Sequence, residues 1–459
     1  MSQMIRRKKL SARETLEAHL KQIERVNPKV NAIVTLVADQ ARESARKADE
    51  TQAHGAPLGP LHGLPIAHKD LVETAGIRTT FGSRIFKDYV PQHDAILVER
   101  IRNAGAICLG KTNTPEFGAG SQTFNEVFGA TRNPFDLTKT PGGSSGGAAV
   151  SLACGMLPIA DGSDSGGSLR NPAAWCNVVG FRTAPGRVAH AAAGDSWSTL
   201  SVSGPLARNV PDVALLLSAM AGPDPRCPIS ITEPGSRFSG SLERNFKDVR
   251  VAWFKNMNGA PFDARVLNAV NAQRKVFESL GCIVEEAEPD WGGALEAYDT
   301  LRAWGYASSQ AENIRLHRDL VKDTIQWEFE RGVTLSAADI SRAHTLRSKA
   351  WDNMRVFQEK YEYFIAPSTQ LPPFDVIQPY PTEIAGVKMS TYIEWMKTCM
   401  LISALENPSI SMPCGFTPEG LPVGLQIVGR HRDEWSVLQL AHAFERATPE
   451  TRRRPSIAV

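Results

Sequence analysis

Apolar residues settle into helical spacing just after the first ten positions. Leu16, Leu20, Ile23 and Val26 share one face behind a Ser11/Glu14 capping pattern, and they predict an amphipathic helix ending near Asn27-Pro28. A second helix is predicted over 38–50. Glycine and proline crowd residues 55–65, after which the short apolar run 65–68 predicts a buried strand that carries Lys69 and Asp70 at its end. Helix 94–103 and strand 106–109 follow, and 112–134, with little periodicity, is expected to be loop. A glycine-serine run at 141–147 opens a small-residue helix at 148–154, and strand 157–160 then leads into a second serine-glycine loop at 161–168. Downstream the pattern predicts helix 210–220, strand 249–254, helix 264–280, strand 283–286, a mostly helical stretch over 295–360, strand 363–367, strands 413–416 and 424–428, and a closing helix at 434–446. This alternation predicts an α/β fold. No internal repeat or low-complexity linker interrupts it, so a single domain is expected over 1–459, with N-terminal helices to about 55, a chemical core at about 60–220 and the later helical region beside it.

Charge narrows the choice of partner. Fifty-one Lys and Arg oppose 49 Asp and Glu, and a net charge of +2 supplies no broad field for nucleic acid or acidic lipid, which leaves small molecules. The seven cysteines never form C-x-x-C, so neither a zinc site nor a disulfide framework is expected, and a reducing cytoplasm fits. The apolar stretch 148–160 is too short to span a bilayer and contains Gly155 and Pro158. No apolar run follows the basic residues 6–9, so a secretory leader is not expected.

The two serine-glycine loops carry the chemistry. Glycines let backbone amides approach an anion closely. Phosphate binding of the P-loop kind is disfavoured because no Lys-Ser or Lys-Thr follows Gly142 to Gly147. Ser165-Gly166-Gly167-Ser168 stands at a predicted strand end, where consecutive amides could face a developing oxyanion beside a serine nucleophile. Such a hydroxyl needs a base, and none of the ten histidines falls in a G-x-S-x-G pattern with a late histidine. Lysine can serve if burial keeps it neutral, and Lys69 follows an apolar run.

At these residues the chain resembles the amidase signature family. The resemblance rests on Gly142-Gly143-Ser144-Ser145-Gly146-Gly147, on the run from Gly162-Ser163-Asp164-Ser165-Gly166-Gly167-Ser168 to Ala174, and on His68-Lys69-Asp70. Lys111-Thr112-Asn113, Arg132-Asn133-Pro134, the 204–208 motif and the 420–426 motif extend it along nearly the whole chain. It implies a large mixed β-sheet between layers of helices. It further implies Ser168 as acyl-accepting nucleophile, Ser144 behind a cis peptide as proton relay, Lys69 as base, and the backbone amides of Ser165, Gly166, Gly167 and Ser168 as oxyanion hole, with no metal and no organic cofactor. Two positions depart from the family pattern: Asp161 stands where many members carry an apolar or small residue, and Ser165 where many carry threonine. Ser145 and Ser163 are read as structural hydroxyls, Asp164 and Arg170 as a bracing ion pair, Asp70 as a brace near Lys69, Cys154 and Cys176 as core, and His68 as structural. Phe117, Gly118, Gln122, Thr123, Trp175, Trp395 and Met396 are the expected pocket walls, an apolar and aromatic set suited to aryl amides, anilides or carbamates. The expected protein is a monomer or homodimer hydrolysing small amides, carbamates or esters. The alternatives are a glutamine-hydrolysing subunit of an amidotransferase-like complex and a non-catalytic binding protein of the same fold.

Overall fold

The computed structural model describes residues 1–191 and 195–459. Strands β1 (Ile33–Leu36), β2 (Pro65–Lys69) and β3 (Ile107–Thr112) form a three-stranded sheet in the order β1-β3-β2, with β2 parallel and β1 antiparallel to β3. Eight more strands form a mixed sheet: β4 (Ile159–Asp164), β5 (Val179–Arg182), β6 (Val202–Ala207), β7 (Arg250–Trp253), β8 (Ile283–Glu286), β9 (Tyr363–Pro367), β10 (Ser409–Phe416) and β11 (Pro422–Val428). Their order is β8-β7-β9-β11-β10-β5-β6-β4, so β4 is an edge, and β2 of the smaller sheet lies alongside it. Pairing is parallel at the β8-β7-β9 end and antiparallel elsewhere.

Helices cover these sheets because each presents an apolar stripe. In the Ala12–Val30 helix, Leu16, Leu20, Ile23 and Val26 are all buried, against Ala148, Val150 and Leu152 of the Gly146–Ala153 helix. The first helix passes through Pro28, one turn beyond the expected stop. Its end is closed instead at Asn31, whose left-handed backbone donates to the Asn27 carbonyl, while the Asn27 side chain accepts from the Ala32 and Ile33 amides.

Three further differences from the sequence pattern bear on the site. The strand expected at 157–160 is β4, which continues to Asp164 through residues that ordinarily disfavour strands. Asp161 and Asp164 are tolerated because both carboxylates are paired, and Gly162 because a Cβ there would stand 2.6 Å from Ser145 Oγ. The Arg170–Cys176 helix and strands β5 and β6 had no counterpart in the pattern; Pro205 inside β6 is a residue that normally argues against an interior strand. The predicted 264–280 helix is two, Ala264–Asn271 and Arg274–Ser279. No helix among the described residues is long and apolar enough to cross a membrane.

The Gly146–Ala153 helix is buried along its whole length and rests directly on backbone. A Cβ at Gly147 would lie 2.3 Å from the Asn113 nitrogen and 2.6 Å from the Ala32 carbonyl oxygen, neither of which can rotate away. Gly147→Ala is therefore expected to lose about 3 kcal/mol or more by overpacking, measured as a lowered urea midpoint at unchanged slope.

Candidate active site

Strand β2 ends on Lys69, whose side chain is completely buried. Its Nζ lies 2.7 Å from Ser144 Oγ, 3.0 Å from Ser145 Oγ and 3.0 Å from Ser163 Oγ. Three hydroxyls and no carboxylate hydrogen-bond the amine. Burial accordingly pushes its pKa down to about 7, against the pull of Asp164 and Asp161. An ammonium could donate to all three serines. A neutral amine donates to two and has a lone pair for the third, the arrangement a proton acceptor needs. Ser145 and Ser163, read from the sequence only as structural hydroxyls, thus also contact the amine. They also bond to each other's segments, Ser145 Oγ accepting from the Ser163 amide at 3.3 Å.

Ser144 follows a cis peptide bond from Gly143. The loop is held by its carbonyls: Thr123 Oγ1 donates to the Gly142 oxygen at 2.8 Å, and Ser121 Oγ donates to that of Gly143. The second loop meets the first where the Ser145 amide donates to the Ser168 carbonyl at 3.2 Å. Ser144, Ser163, Ser165 and Ser168 all line one cleft of about 480 Å3.

Asp164 shapes the second loop. Its carboxylate accepts from the Gly167 amide at 2.9 Å, the Leu169 amide at 3.0 Å, and Arg170 Nη2 and Nε at 2.9 and 3.1 Å. Arg182 adds a bond at 3.2 Å. Burial opposes its ionisation, but the two guanidinium groups prevail and hold the carboxyl well below the usual range. The expected Asp164–Arg170 brace is present, with Arg182 as a second cation. One expected oxyanion donor must be corrected, since the Gly167 N–H is committed to Asp164. The amides of Ser165, Gly166 and Ser168 have no intramolecular acceptor among the described residues.

Other sequence candidates are distributed differently. Asp70 turns away from Lys69 and accepts from Thr80 Oγ1 at 2.5 Å and from the Thr80 amide, bracing the turn beyond β2. Phe117 and Gly118 do line the cleft, and a Cβ on Gly118 would stand 3.5 Å from Ser144 Oγ. Gln122, Thr123, Trp175, Trp395 and Met396 do not. Gln122 is spent on the Val376 carbonyl and Thr123 on Gly142. Trp175 and Trp395 are stacked in the core, centroids 5.5 Å apart, their indole N–H groups donating to the Leu371 and Tyr392 carbonyls, and Met396 is buried with them. An apolar aromatic cluster has the same composition in a core as in a pocket, and only the fold separates the two.

The helical region expected on the substrate side, about 295–360, does supply a wall through the Ala294–Ser309 helix (Leu301, Arg302, Trp304, Tyr306), although none of these residues was singled out; Leu71, Trp197 and Leu200 complete the wall without any counterpart in the sequence reading, and Trp197 and Trp304 are exposed. The one usable signal was a tryptophan in a helix with weak amphipathic pattern. Both arginines in the wall are occupied: Arg302 pairs with Glu328 at 2.8 Å and donates to Tyr392 Oη at 2.7 Å, and Arg347 pairs with Glu406 at 2.5 Å. Among the described residues, no three His, Cys, Asp or Glu side chains converge as metal ligands would.

Comparison with known proteins gives the family of a chain that seals a lysine among serines beside two glycine loops. The profile of the Amidase family matches residues 14–438. The chain belongs to the amidase family. This amidase is 36% identical to an acylamidase of Rhodococcus erythropolis over 97% of its own length and 94% of the relative's. It is equally similar, at 36%, to a glutamyl-tRNA(Gln) amidotransferase subunit of Geobacillus kaustophilus (strain HTA426), covering 98% of this chain and 97% of that one. Its fold superposes on a bacterial aryl acylamidase of the amidase signature family with a TM-score of 0.93 at 29% identity, covering 99% and 97% of the two chains. A 6-aminohexanoate cyclic dimer hydrolase superposes at 0.90 and 27% identity, covering 100% and 98%. The protein is thus an amidohydrolase acting on carbon–nitrogen bonds, with the mixed α/β fold of the amidase signature enzymes.

The two tryptophan environments predict opposite phenotypes. Trp175→Ala should lower stability by about 3–5 kcal/mol, seen in denaturant unfolding, because it empties a core stack. Trp304→Ala should leave unfolding within about 0.5 kcal/mol of the parent but raise KM for aryl substrates.

Proposed function

We propose that this amidase hydrolyses small, neutral amides and carbamates with apolar or aryl groups through an acyl-enzyme on Ser168. The observation that carries the reading is the 2.7 Å contact between the buried Lys69 amine and Ser144 Oγ, in the same cleft that Ser168 lines. Neutral Lys69 takes the Ser144 proton as Ser144 takes that of Ser168, and the Ser168 oxygen attacks the substrate carbonyl. The amides of Ser165, Gly166 and Ser168 face the oxyanion; removing one such donor typically costs about 3 kcal/mol of transition-state stabilisation. Collapse of the tetrahedral intermediate expels the amine, which takes its proton back through Ser144. Water then repeats the path in reverse roles and releases the acid, regenerating the Ser168 hydroxyl. Esters fit the same scheme, with an alcohol leaving.

A second reading follows from the equal similarity to an amidotransferase subunit, in which glutamine would be the substrate. Free glutamine carries an α-carboxylate and an α-ammonium that a cleft must neutralise. Arg302 and Arg347 are already paired with glutamates, so neither guanidinium in the wall is free for the α-carboxylate, which favours the neutral substrates; Asp195 and His344 line the cleft beside the apolar Leu71, Phe117, Trp197, Leu200, Leu301 and Trp304. Ammonia release from glutamine faster than amine release from p-nitroanilides or aryl carbamates would reverse this choice.

Ser168→Ala is expected to abolish turnover together with fluorophosphonate labelling; retained labelling and activity would refute the nucleophile. The pH dependence follows from the sign of the Lys69 shift. The base works only when neutral, so kcat/KM should be level above about 7 and fall about tenfold per pH unit below it. Lys69→Ala should remove nearly all activity in that range.

A further inference from the structure

Two buried groups beside Lys69 take no part in that proton path. Asp161 is fully buried and His68 is 1% exposed. His68 Nδ1 and Asp161 Oδ1 are 2.8 Å apart, and the second carboxylate oxygen accepts the backbone N–H of Lys69 at 3.3 Å. One carboxylate therefore holds both the imidazole and the peptide of the lysine. Asp161 also stands two residues before Ser163 on β4, on the same strand face, and Ser163 Oγ is one of the three hydroxyls around Nζ. The strand bearing the amine and the strand bearing one of its partners are joined at this side chain.

The charges around the amine form two sets. From β4, Lys69 faces the carboxylates of Asp164 and Asp161. Asp164 is compensated by Arg170 and Arg182. Asp161 has a single side-chain donor among the described residues, His68. From β3, Cys108 faces the imidazole, while Lys111 bonds to Val72, Thr74 and Thr79 and faces Asp70 first, then Cys108, and Asp161 less strongly, so His68 is the cation that hydrogen-bonds Asp161 and Lys111 a second one that does not. A buried carboxylate without a cation would be unstable and would also hold a proton on any amine near it.

We propose that His68 and Asp161 are positioning residues for Lys69: the carboxylate locks the peptide that carries the amine, and a protonated imidazole cancels the negative charge that the carboxylate would otherwise present to Nζ. The role rests on Lys69 being the base in the proposed reaction. It accounts for a buried histidine and a buried aspartate occurring together beside the amine. Burial alone would push the imidazole pKa down, but Asp161 and Cys108 outweigh it and raise it to about 9, so His68 keeps its proton in the range where Lys69 must be neutral.

Two measurements decide the matter. In the wild-type enzyme labelled with 15N-histidine, His68 should give the imidazolium pattern at pH 7.5, about one unit above where an unperturbed histidine titrates; a neutral imidazole there overturns the proposal, and this needs no variant to fold. In kcat/KM profiles with a p-nitroanilide substrate, His68→Gln leaves Asp161 without its hydrogen-bonded cation and should move the acid limb up by about one pH unit, while His68→Gln combined with Asp161→Asn should bring it back. A limb that stays near its wild-type position in His68→Gln overturns the proposal. The base assignment fails differently: Lys69→Ala would then retain activity, or the wild type would show no limb near 7.

Discussion

An ammonium group taken out of water must find an anion or lose its proton, because its desolvation is far larger than a few hydroxyl contacts return. Lys69 is completely buried and hydrogen-bonded only to three serines, so the fold around it is built for a neutral amine. That requirement explains much of the local architecture. β2 and β4 must lie side by side, and β4 and the two loops together must deliver Ser144, Ser145, Ser163 and Ser168 to one place. Neither loop has room for side chains at its glycines. A Cβ at Gly146 would lie 2.2 Å from Thr123 Oγ1, and one at Gly166 would lie 2.2 Å from Tyr298 Oη.

The negative charges nearby make the same point from the other side. Two carboxylates stand close enough to favour the ammonium form, and each is answered by its own cation: Asp164 by Arg170 and Arg182, Asp161 by His68. Asp164 also organises the loop that carries Ser168, accepting from the Gly167 and Leu169 amides. A single buried carboxylate thereby sets the loop conformation, and its two arginines keep that conformation from fixing a proton on Lys69. Removing one member of such a set would strand the others without water, which typically costs about 3–5 kcal/mol.

How much of this was legible beforehand depends on the kind of signal. The helix carrying Leu16, Leu20, Ile23 and Val26, the 210–220 helix and strand 283–286 could be read because their periodicity is local. The Lys69, Ser144 and Ser168 set could be read because glycine-serine runs are rare and chemically loaded. β6 could not, since Pro205 speaks against a strand until its neighbours are known. The extension of β4 through Asp161 and Asp164 was hidden for a related reason: acidic residues in a strand become tolerable only when His68, Arg170 and Arg182 arrive from 93, 6 and 18 residues away. Of the expected pocket walls, Phe117 and Gly118 line the cleft, while Gln122, Thr123, Trp175, Trp395 and Met396 were misread for want of any local distinction, as Trp175 and Trp304 differ in environment and not in kind.

The division between chemistry and recognition follows from the same topology. Lys69, Ser144, Ser145, Ser163 and Ser168 stand on β2, on β4 and on the two loops bracketing the Gly146–Ala153 helix, with Ser144, Ser163 and Ser168 reaching the cleft. The cleft walls come from the Ala294–Ser309 helix and from Trp197 and Leu200, which touch that centre from outside. Substitutions in the walls can therefore change what is bound without shifting a 2.7 Å contact deep beneath them, whereas substitutions in the glycine loops cannot. An acylamidase and an amidotransferase subunit equally similar to this chain are what such an arrangement permits. Overall identity is dominated by the shared scaffold, so the charge state of a few wall residues, above all the paired Arg302 and Arg347, carries more information about substrate than 36% identity over the whole chain.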